Sequence, residues 1–268
     1  MVDSATLTEA IATTMITSGS ATLLATIIGV PLGALCARRT ARWLTGLRTV
    51  IIALYGLPPV VVGVFVYSLL SRSGPLGNLD LLFTVEAMVM AQTVLILPLV
   101  WGGSWSAFSQ VEENVGDVLE TMGVGTRQRF LLEVSLARSG VYHAVVLAFG
   151  RAIAEVGAVI MVGGNIAGKT RVMTTSIVLE TSKGNLDEAT VLGVLLLLFS
   201  LTLIALASFL RDWRPTPTAT ITGTDAPLYP SYDGAQHRTI TVRRHGVKIL
   251  DEVEVVLKPG TILAVVGE

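Results

Sequence analysis

The sequence predicts an all-α integral membrane bundle of five transmembrane helices, and three observations lead to this fold class. Hydrophobic residues make up 51% of the 268 residues. Charged residues make up only 15%, against about 25% in a typical soluble domain. These few charges are clustered, so that long stretches carry none and the mean hydropathy reaches +0.68. A chain embedded in a bilayer is expected to have this pattern.

The predicted spans lie between successive charged residues. Each should supply the roughly 20 residues that a helix needs to cross the hydrocarbon core. Four of them carry no charge: residues 10–37, 49–71, 87–111 and 189–210. A fifth, residues 139–164, is strongly apolar but contains Arg151 and Glu155. Its helix should stop at Gly163-Gly164-Asn165.

The arginines and lysines of the loops predict the orientation. The N-terminal tail has none, whereas the first loop carries Arg38, Arg39, Arg42 and Arg48. The expected topology therefore has the N-terminus outside and the C-terminus inside, in a multi-pass protein of the cell membrane. The loop at about residues 165–188 is the exception, because its three basic residues would lie outside.

Composition also argues against several functions. The net charge is −1 and no basic stripe occurs, so nucleic acid is not an expected partner. A single cysteine, Cys36, rules out a disulfide within the chain and a cysteine-cluster metal site. The three histidines have no carboxylate or cysteine at ligand spacing. We therefore expect no metal site and no catalytic set, and the chain should not itself be an enzyme.

The connection at residues 110–138 carries eight charged residues and is long for a compact bundle, which favours a function of its own. Its pattern predicts two short cytoplasmic helices, residues 112–122 and 126–137, hinged at Gly123-Val124-Gly125. Spacing alone leaves a plain connector open as the alternative.

Within this loop, Asp117-Val118-Leu119-Glu120-Thr121-Met122-Gly123 resembles the cytoplasmic EAA loop of binding-protein-dependent ABC importer permeases. That loop reads Glu-Ala-Ala, three residues, then Gly. This sequence has Asp for Glu and Val-Leu for Ala-Ala, and it has no closing proline near Leu136. In the family the loop docks on the ATPase subunit and transmits its closure. The resemblance implies an ATPase-coupling role for Asp117, Glu120, Gly123 and Arg127.

A more specific resemblance covers two runs. Residues 149–166 read Phe-Gly-Arg-Ala-Ile-Ala-Glu-Val-Gly-Ala-Val-Ile-Met-Val-Gly-Gly-Asn-Ile. Residues 170–184 read Thr-Arg-Val-Met-Thr-Thr-Ser-Ile-Val-Leu-Glu-Thr-Ser-Lys-Gly. Both look like the permease of tungstate ABC transporters, which is related to the molybdate and sulfate permeases. Gly29-Val30-Pro31-Leu32-Gly33 fits the same group, and the resemblance covers about residues 5–212.

The resemblance implies a type I ABC importer permease fold and a homodimer that encloses the transport path. It also implies ABC ATPase subunits that use the ATP, an extracytoplasmic oxyanion-binding protein, surrounding membrane lipid, and no cofactor bound by this chain. Tungstate is the expected substrate, and molybdate or sulfate are alternatives, since all are tetrahedral dianions. A membrane-embedded enzyme and a non-transporting membrane anchor or sensor are the alternatives from other classes.

Candidate residues for the translocation path or its gate are Arg151, Glu155, Asn165 and Thr174. Arg151 and Glu155 are four residues apart and share one helix face. Arg151 could attract a dianion, but a self-neutralising structural pair is favoured, because Glu155 would repel an anion. The first helix is rich in hydroxyl groups, which either line the path or bond their own backbone, the commoner use.

One motif is rejected as a nucleotide site. Gly163-Gly164-Asn165-Ile166-Ala167-Gly168-Lys169-Thr170 matches the G-x-x-x-x-G-K-[ST] pattern of a P-loop. A P-loop follows a buried strand and opens a helix whose amides hold phosphate. Here the motif follows a predicted membrane span and should lie outside the cell.

The composition changes after residue 212, which divides the chain into a permease domain (1–212), a Pro/Thr-rich linker (213–238) and a β-rich segment (239–268). Strands are predicted at residues 239–242, 253–257 and 261–266. They resemble the opening strands of an ABC ATPase domain, in which Gly267 would be the first P-loop glycine. No ATP hydrolysis is expected from this incomplete segment. A fusion cut short, a remnant tail and an unrelated β-rich tail are the open interpretations.

Overall fold

The computed structural model describes residues 4–39, 41–121, 126–212, 236–244 and 247–257. They belong to two units, Met1–Arg214 and Pro215–Glu268. The described part of the first unit is helical. Its α-helices are α1 (Ser4–Ala37), α2 (Trp43–Ala53), α3 (Pro59–Leu70), α4 (Val85–Thr121), α5 (Thr126–Ile153), α6 (Gly157–Gly163), α7 (Met173–Ser182) and α8 (Leu186–Asp212).

Several of these helices have the length and composition of membrane spans. In the described residues, four segments are long and apolar enough to cross a bilayer: Thr6–Ala37, Val85–Val111, Leu131–Ile153 and Leu186–Leu206. A fifth is added if the bent pair Trp43–Gly56 and Pro59–Leu70 is one span. Many large apolar side chains of α1, α3 and α8 are exposed, which suits surfaces that face lipid rather than water.

The predicted span at residues 49–71 is two helices rather than one. Its two segments meet at 99°. Proline has no amide hydrogen and moves the residue before it out of the helical conformation. Accordingly, Leu57 and Pro58, which precede Pro58 and Pro59, both have extended backbone, with ψ of 122° and 125°. The adjacent prolines therefore end the first helix and begin the second.

The predicted span at residues 139–164 also divides into two helices, since α5 ends at Ile153 and α6 begins at Gly157. Its predicted stop is confirmed. Helix α6 ends at Gly163, and Gly164 and Asn165 have φ of 71° and 52°. A residue in this left-handed conformation commonly terminates a helix.

The predicted short helices of the third connection are extensions of the long ones. Helix α4 continues unbroken to Thr121, and α5 begins at Thr126. The proposed hinge at residues 123–125 lies outside the described residues. From Val111 to Thr121 the helix extends about 15 Å, at 1.5 Å per residue. The end of α4 therefore reaches beyond the segment that could cross the bilayer.

Helices α1 and α4 approach each other closely through glycines. A Cβ on Gly29 would lie 3.0 Å from the backbone nitrogen of Trp101, and one on Gly33 would lie 2.7 Å from that of Trp105. Because the residue numbers rise together along the contact, the two helices run parallel. Small residues four apart permit this close approach of backbones in membrane helix pairs.

Replacing Gly33 with alanine is expected to lower the free energy of unfolding by about 1–3 kcal/mol, the usual cost of overpacking. The atom that the new Cβ meets is backbone and cannot move aside easily. Gly19→Ala on the same helix is the matched control, since nothing lies within 4 Å of its added Cβ. Thermal unfolding of the purified protein in detergent measures both, and equal melting temperatures would contradict the packing argument.

The second unit contains two described strands, β1 (Gln236–Arg244) and β2 (Val247–Leu257). They pair antiparallel, from Gln236 opposite Leu257 to Arg244 opposite Val247. They contain residues 239–242 and 253–257, where the alternating sequence predicts strands. The third predicted strand and Gly267 lie outside the described residues. The likeness of this unit to the start of an ATPase domain stays a prediction.

Candidate functional site

Residues 154–156 interrupt the helix between α5 and α6, and neighbouring helices satisfy the backbone groups that this interruption releases. Gln92 of α4 donates from Nε2 to the carbonyl oxygen of Ala152 at 3.0 Å. Thr174 of α7 donates from Oγ1 to the carbonyl oxygen of Glu155 at 2.8 Å. Both side chains are buried. Non-helical backbone at membrane depth is tolerated only where protein covers it or where it lines a wet cavity.

The carboxylate of Glu155 binds both sides of the interruption. Its Oε2 lies 3.4 Å from Nη1 of Arg151 on α5, and its Oε1 accepts a hydrogen bond from the backbone nitrogen of Ala158 on α6 at 3.1 Å. The side chain of Glu155 is 1% exposed, whereas that of Arg151 is 37% exposed. The geometry favours the structural pair over an anion-facing Glu155.

Asn165 connects the loop that follows α6 to Arg171 and to α7 through hydrogen bonds. Arg171 donates from Nε to Asn165 Oδ1 at 3.3 Å and from Nη2 to the Asn165 carbonyl oxygen at 3.5 Å. Nδ2 of Asn165 donates to the carbonyl oxygen of Thr175 at 3.5 Å. The loop is therefore joined to the first turn of α7.

The environment of Thr170 agrees with the rejection of a P-loop. The motif follows helix α6 rather than a strand. The Thr170 hydroxyl is fully buried, donates to the carbonyl oxygen of Gly163 at 2.6 Å and accepts from the backbone nitrogen of Ile166 at 2.9 Å. It is thus engaged in closing its own loop.

Helix α1 supports the start of α7. The backbone nitrogen of Met173 donates to Oγ1 of Thr14 at 3.0 Å. Thr14 itself is buried and also donates to the carbonyl oxygen of Ala10. One hydroxyl therefore links two helices that are far apart in sequence.

Three other threonine hydroxyls of α1 bond their own backbone. Donation to the carbonyl oxygen four residues earlier, at 2.7 Å, occurs at Thr17, Thr22 and Thr26. Thr17 and Thr22 are also buried. Their geometry favours a role within the helix, where the hydroxyls bond their own backbone, over lining of the transport path.

Basic residues of the loop between α6 and α7 line a cavity of about 190 Å³ against the start of α1. Lys169 and Arg171 contribute cations, Glu9 contributes a carboxylate, and Thr13 contributes a hydroxyl.

Lys183 is the third basic residue of the segment 165–188, and it donates to Glu180 at 2.8 Å. Hydrogen bonds from Lys183 and Asn185 lower the pKa of the Glu180 carboxyl. Lys183 is thus paired with a carboxylate three residues earlier.

The structure brings three of the four predicted path residues into direct contact: Arg151, Glu155 and Thr174. Asn165 lies one step away, through the backbone of Thr175. Gln92 was missed by the sequence analysis. Its only signal is an amide side chain in the first half of a predicted span.

The predicted coupling residues lie at the end of α4 and the start of α5, away from the interruption. Asp117 and Glu120 belong to the last turns of α4, and Arg127 belongs to the first turn of α5. Their side chains and the whole of Gly123 lie outside the described residues. Their coupling role therefore stays a prediction.

Comparison with known proteins finds similarity to the membrane components of binding-protein-dependent transport systems. The family described as "Binding-protein-dependent transport system inner membrane component" matches residues 29–214. The chain is 39% identical to a probable anion ABC transporter permease protein of Haloferax volcanii, covering 76% of this chain and 90% of that protein. It is 37% identical to the tungstate uptake system permease protein TupB of Peptoclostridium acidaminophilum, covering 73% and 86%.

Among solved structures, a bacterial ABC transporter involved in the import of the polysaccharide alginate has a similar fold. The TM-score is 0.62 at 16% identity, covering 79% of this chain and 81% of that chain. At this level of identity the similarity concerns the fold alone.

Proposed function

Since the chain belongs to the family of binding-protein-dependent transport system inner membrane components, we propose that it is the membrane-spanning permease of an ATP-driven importer of an oxyanion, tungstate. The observation that carries the substrate is the 37% identity to a tungstate permease over 86% of that protein. The 39% identity to an anion permease supports the broader class.

Five spans with the N-terminus outside are the proposed topology, in which α2 and α3 together count as one span. The arginine-rich segment after α1 then lies in the cytoplasm, as the positive-inside rule requires. The same side receives the end of α4 and the start of α5. The loop between α6 and α7 lies outside, where a binding protein would deliver the anion.

The proposed assembly contains two copies of this permease, two ABC ATPase subunits and an extracytoplasmic oxyanion-binding protein. Two copies related by a twofold axis would enclose the path between them. Dependence on a binding protein is a property of the family. Because that protein would select the anion, the permease path itself does not need a tight site.

The proposed path passes the interruption between α5 and α6. Interrupted membrane helices commonly form the transport sites of other carriers, because their free backbone groups can face a substrate. Arg151 is the candidate cation for a passing dianion, since more than a third of its side chain is exposed. Thr174 and Asn165 hold the surrounding backbone. Glu155 neutralises Arg151 when no anion is present.

The proposed coupling element is the end of α4 from Asp117 onward, together with the start of α5. Asp117, Glu120, Gly123 and Arg127 would contact the ATPase subunit there. Closure of the ATPase would then move two helices that continue directly into the membrane. Small residues hold these helices together, because a Cβ on Gly103 would lie 2.5 Å from that of Ala144.

Tungsten and molybdenum accumulated by cells with and without this gene test the proposed function, measured by elemental analysis at nanomolar supply. We expect loss of tungsten uptake with molybdenum uptake unchanged. Equal loss of tungsten and molybdenum uptake would show that the substrate is a broader class of oxyanions than tungstate. No change in either would contradict the oxyanion assignment.

A further inference from the structure

A second cluster of charges lies at the other end of α5, away from the interruption. Glu133 of α5 accepts from Arg38 at its Oε2, at 3.1 Å from Nε and 2.5 Å from Nη2. Its Oε1 accepts from Nε of Arg129 at 2.9 Å. Arg38 directly follows α1, and Arg129 lies one turn before Glu133. We call Arg38, Arg129 and Glu133 the arginine clamp.

The arginine clamp is built around a buried carboxylate. The side chain of Glu133 is 5% exposed, and both of its oxygens are used. Hydrogen bonds between ionised partners are roughly twice as strong as neutral ones. A carboxylate in this position would be strongly unfavourable without its cations. The clamp therefore fixes the end of α1 to the start of α5.

The helices beneath the clamp pack tightly. Ala34 of α1, Ala107 and Phe108 of α4, and Ala137 of α5 form one buried cluster. Gly33, next to Ala34, touches the backbone of α4. The end of α1 therefore cannot shift relative to α5 without disturbing α4.

Helix α1 connects the clamp to the interruption. It runs unbroken from Ser4 to Ala37, so that Thr14 and Arg38 are separated by about 36 Å at 1.5 Å per residue. At its far end, Thr14 holds the backbone of Met173, and the next residue, Thr174, holds the carbonyl oxygen of Glu155. The start of α5 is thus joined to residues 154–156 in two ways, directly along α5 and through α1 and α7.

We infer that Glu133 is the positioning residue that makes α1 follow the movement of the coupling element, so that α7, whose first residue Thr14 of α1 holds, moves together with the interruption at the end of α5. The inference rests on the proposed function, because it requires an ATPase that acts on the start of α5. Coupling between distant sites needs a contiguous element whose position both sites influence. Helix α1 with the arginine clamp at one end and Thr14 at the other has this arrangement.

The test uses the full importer, reconstituted with its ATPase subunits and binding protein in lipid vesicles. Glu133→Gln keeps the shape of the side chain and removes its charge. Arg39→Gln is the matched control, because Arg39 is the exposed neighbour of Arg38 in the sequence. The readouts are the amount of assembled complex, its ATPase activity without binding protein, and the stimulation of that activity by loaded binding protein.

We expect Glu133→Gln to assemble and hydrolyse ATP but to lose the stimulation by roughly fivefold or more, the lower end of typical coupling between sites. Arg39→Gln should keep the stimulation. Unchanged stimulation in an assembled Glu133→Gln complex would overturn the inference.

If Glu133→Gln does not assemble, the triple variant Arg38→Glu, Arg129→Glu, Glu133→Arg decides, because it restores both ion pairs of the arginine clamp with reversed polarity. Recovered assembly with recovered stimulation supports the inference, and recovered assembly without stimulation overturns it. Failure of the triple variant to assemble also overturns it, because the ion pairs would then not be what joins α1 to α5. A wild-type importer that is stimulated but carries no tungstate would count against the substrate alone.

Discussion

Replacing Arg151 with alanine is expected to lower the free energy of unfolding by about 3 kcal/mol, at the lower end of the cost of breaking a buried ion pair. The reason is the asymmetry of the pair. Glu155 is 1% exposed and would lose the cation that faces it, whereas 37% of the Arg151 side chain is exposed. Arg151→Ala should therefore destabilise the protein more than Glu155→Gln, whose amide oxygen can still accept from Ala158.

The double variant Arg151→Ala, Glu155→Gln separates the two roles of the pair. Because the double variant buries no carboxylate at residue 155, we expect it to regain about half of the stability that Arg151→Ala loses. Replacing both partners of a buried ion pair commonly costs less than removing one. Tungstate transport should recover in parallel if the pair is structural. A stable double variant that does not transport would instead place Arg151 on the anion path.

Arg138→Ala, at an exposed position of the same helix, is the matched control and should leave stability unchanged within about 0.5 kcal/mol. Melting temperature in detergent and uptake by reconstituted vesicles measure all four variants. An Arg151→Ala protein as stable as the wild type would contradict the buried pair.

The membrane helices could be predicted from the sequence because one physical quantity decides them. A helix that crosses lipid carries few charges, and the charge-free stretches at residues 10–37, 87–111 and 189–210 all lie within α1, α4 and α8. The bend at residues 57–59 was also open to prediction, since two adjacent prolines mark it. Hydropathy alone favours one continuous span there, whereas the prolines favour two helices.

The interruption at residues 154–156 could not be predicted in the same way. It contains no proline, and the residues that satisfy its backbone, Gln92 and Thr174, come from other helices. The arginine clamp also could not be predicted from local sequence patterns, because Arg38 and Glu133 are 95 residues apart. Contacts of this kind depend on which helices become neighbours, and no periodicity within one helix records that.

Resemblance supplied what local pattern could not. The runs at residues 149–166 and 170–184 resemble the permease family, and they contain all four predicted path residues. The fold gives these residues their roles, since Thr174 of α7 donates to the carbonyl oxygen of Glu155 inside the break between α5 and α6. Family likeness thus located the region, and packing gave its residues their roles.

Reversing two charges of the coupling element is expected to abolish transport. In the double variant Asp117→Lys, Glu120→Lys, two acidic positions that resemble the family's coupling motif become basic. They lie near the end of α4, beyond Val111, where the helix extends about 15 Å past the segment that could cross the bilayer. A charge reversal at a protein–protein contact costs several kcal/mol through like-charge or unpaired groups, so the ATPase subunit should no longer engage.

The double variant Glu112→Lys, Glu113→Lys makes the same change in charge on the same helix, one to two turns closer to the membrane. Added lysines on the cytoplasmic side do not oppose the proposed orientation in either variant. We expect the control to copurify with the ATPase subunits and transport tungstate, and Asp117→Lys, Glu120→Lys to reach the membrane but lose both. Copurification and uptake that stay equal in the two variants would show that the ATPase docks elsewhere. In that case the likeness to the coupling loop would have no functional meaning, because a helix end that tolerates four units of charge change cannot form the contact through which closure is transmitted.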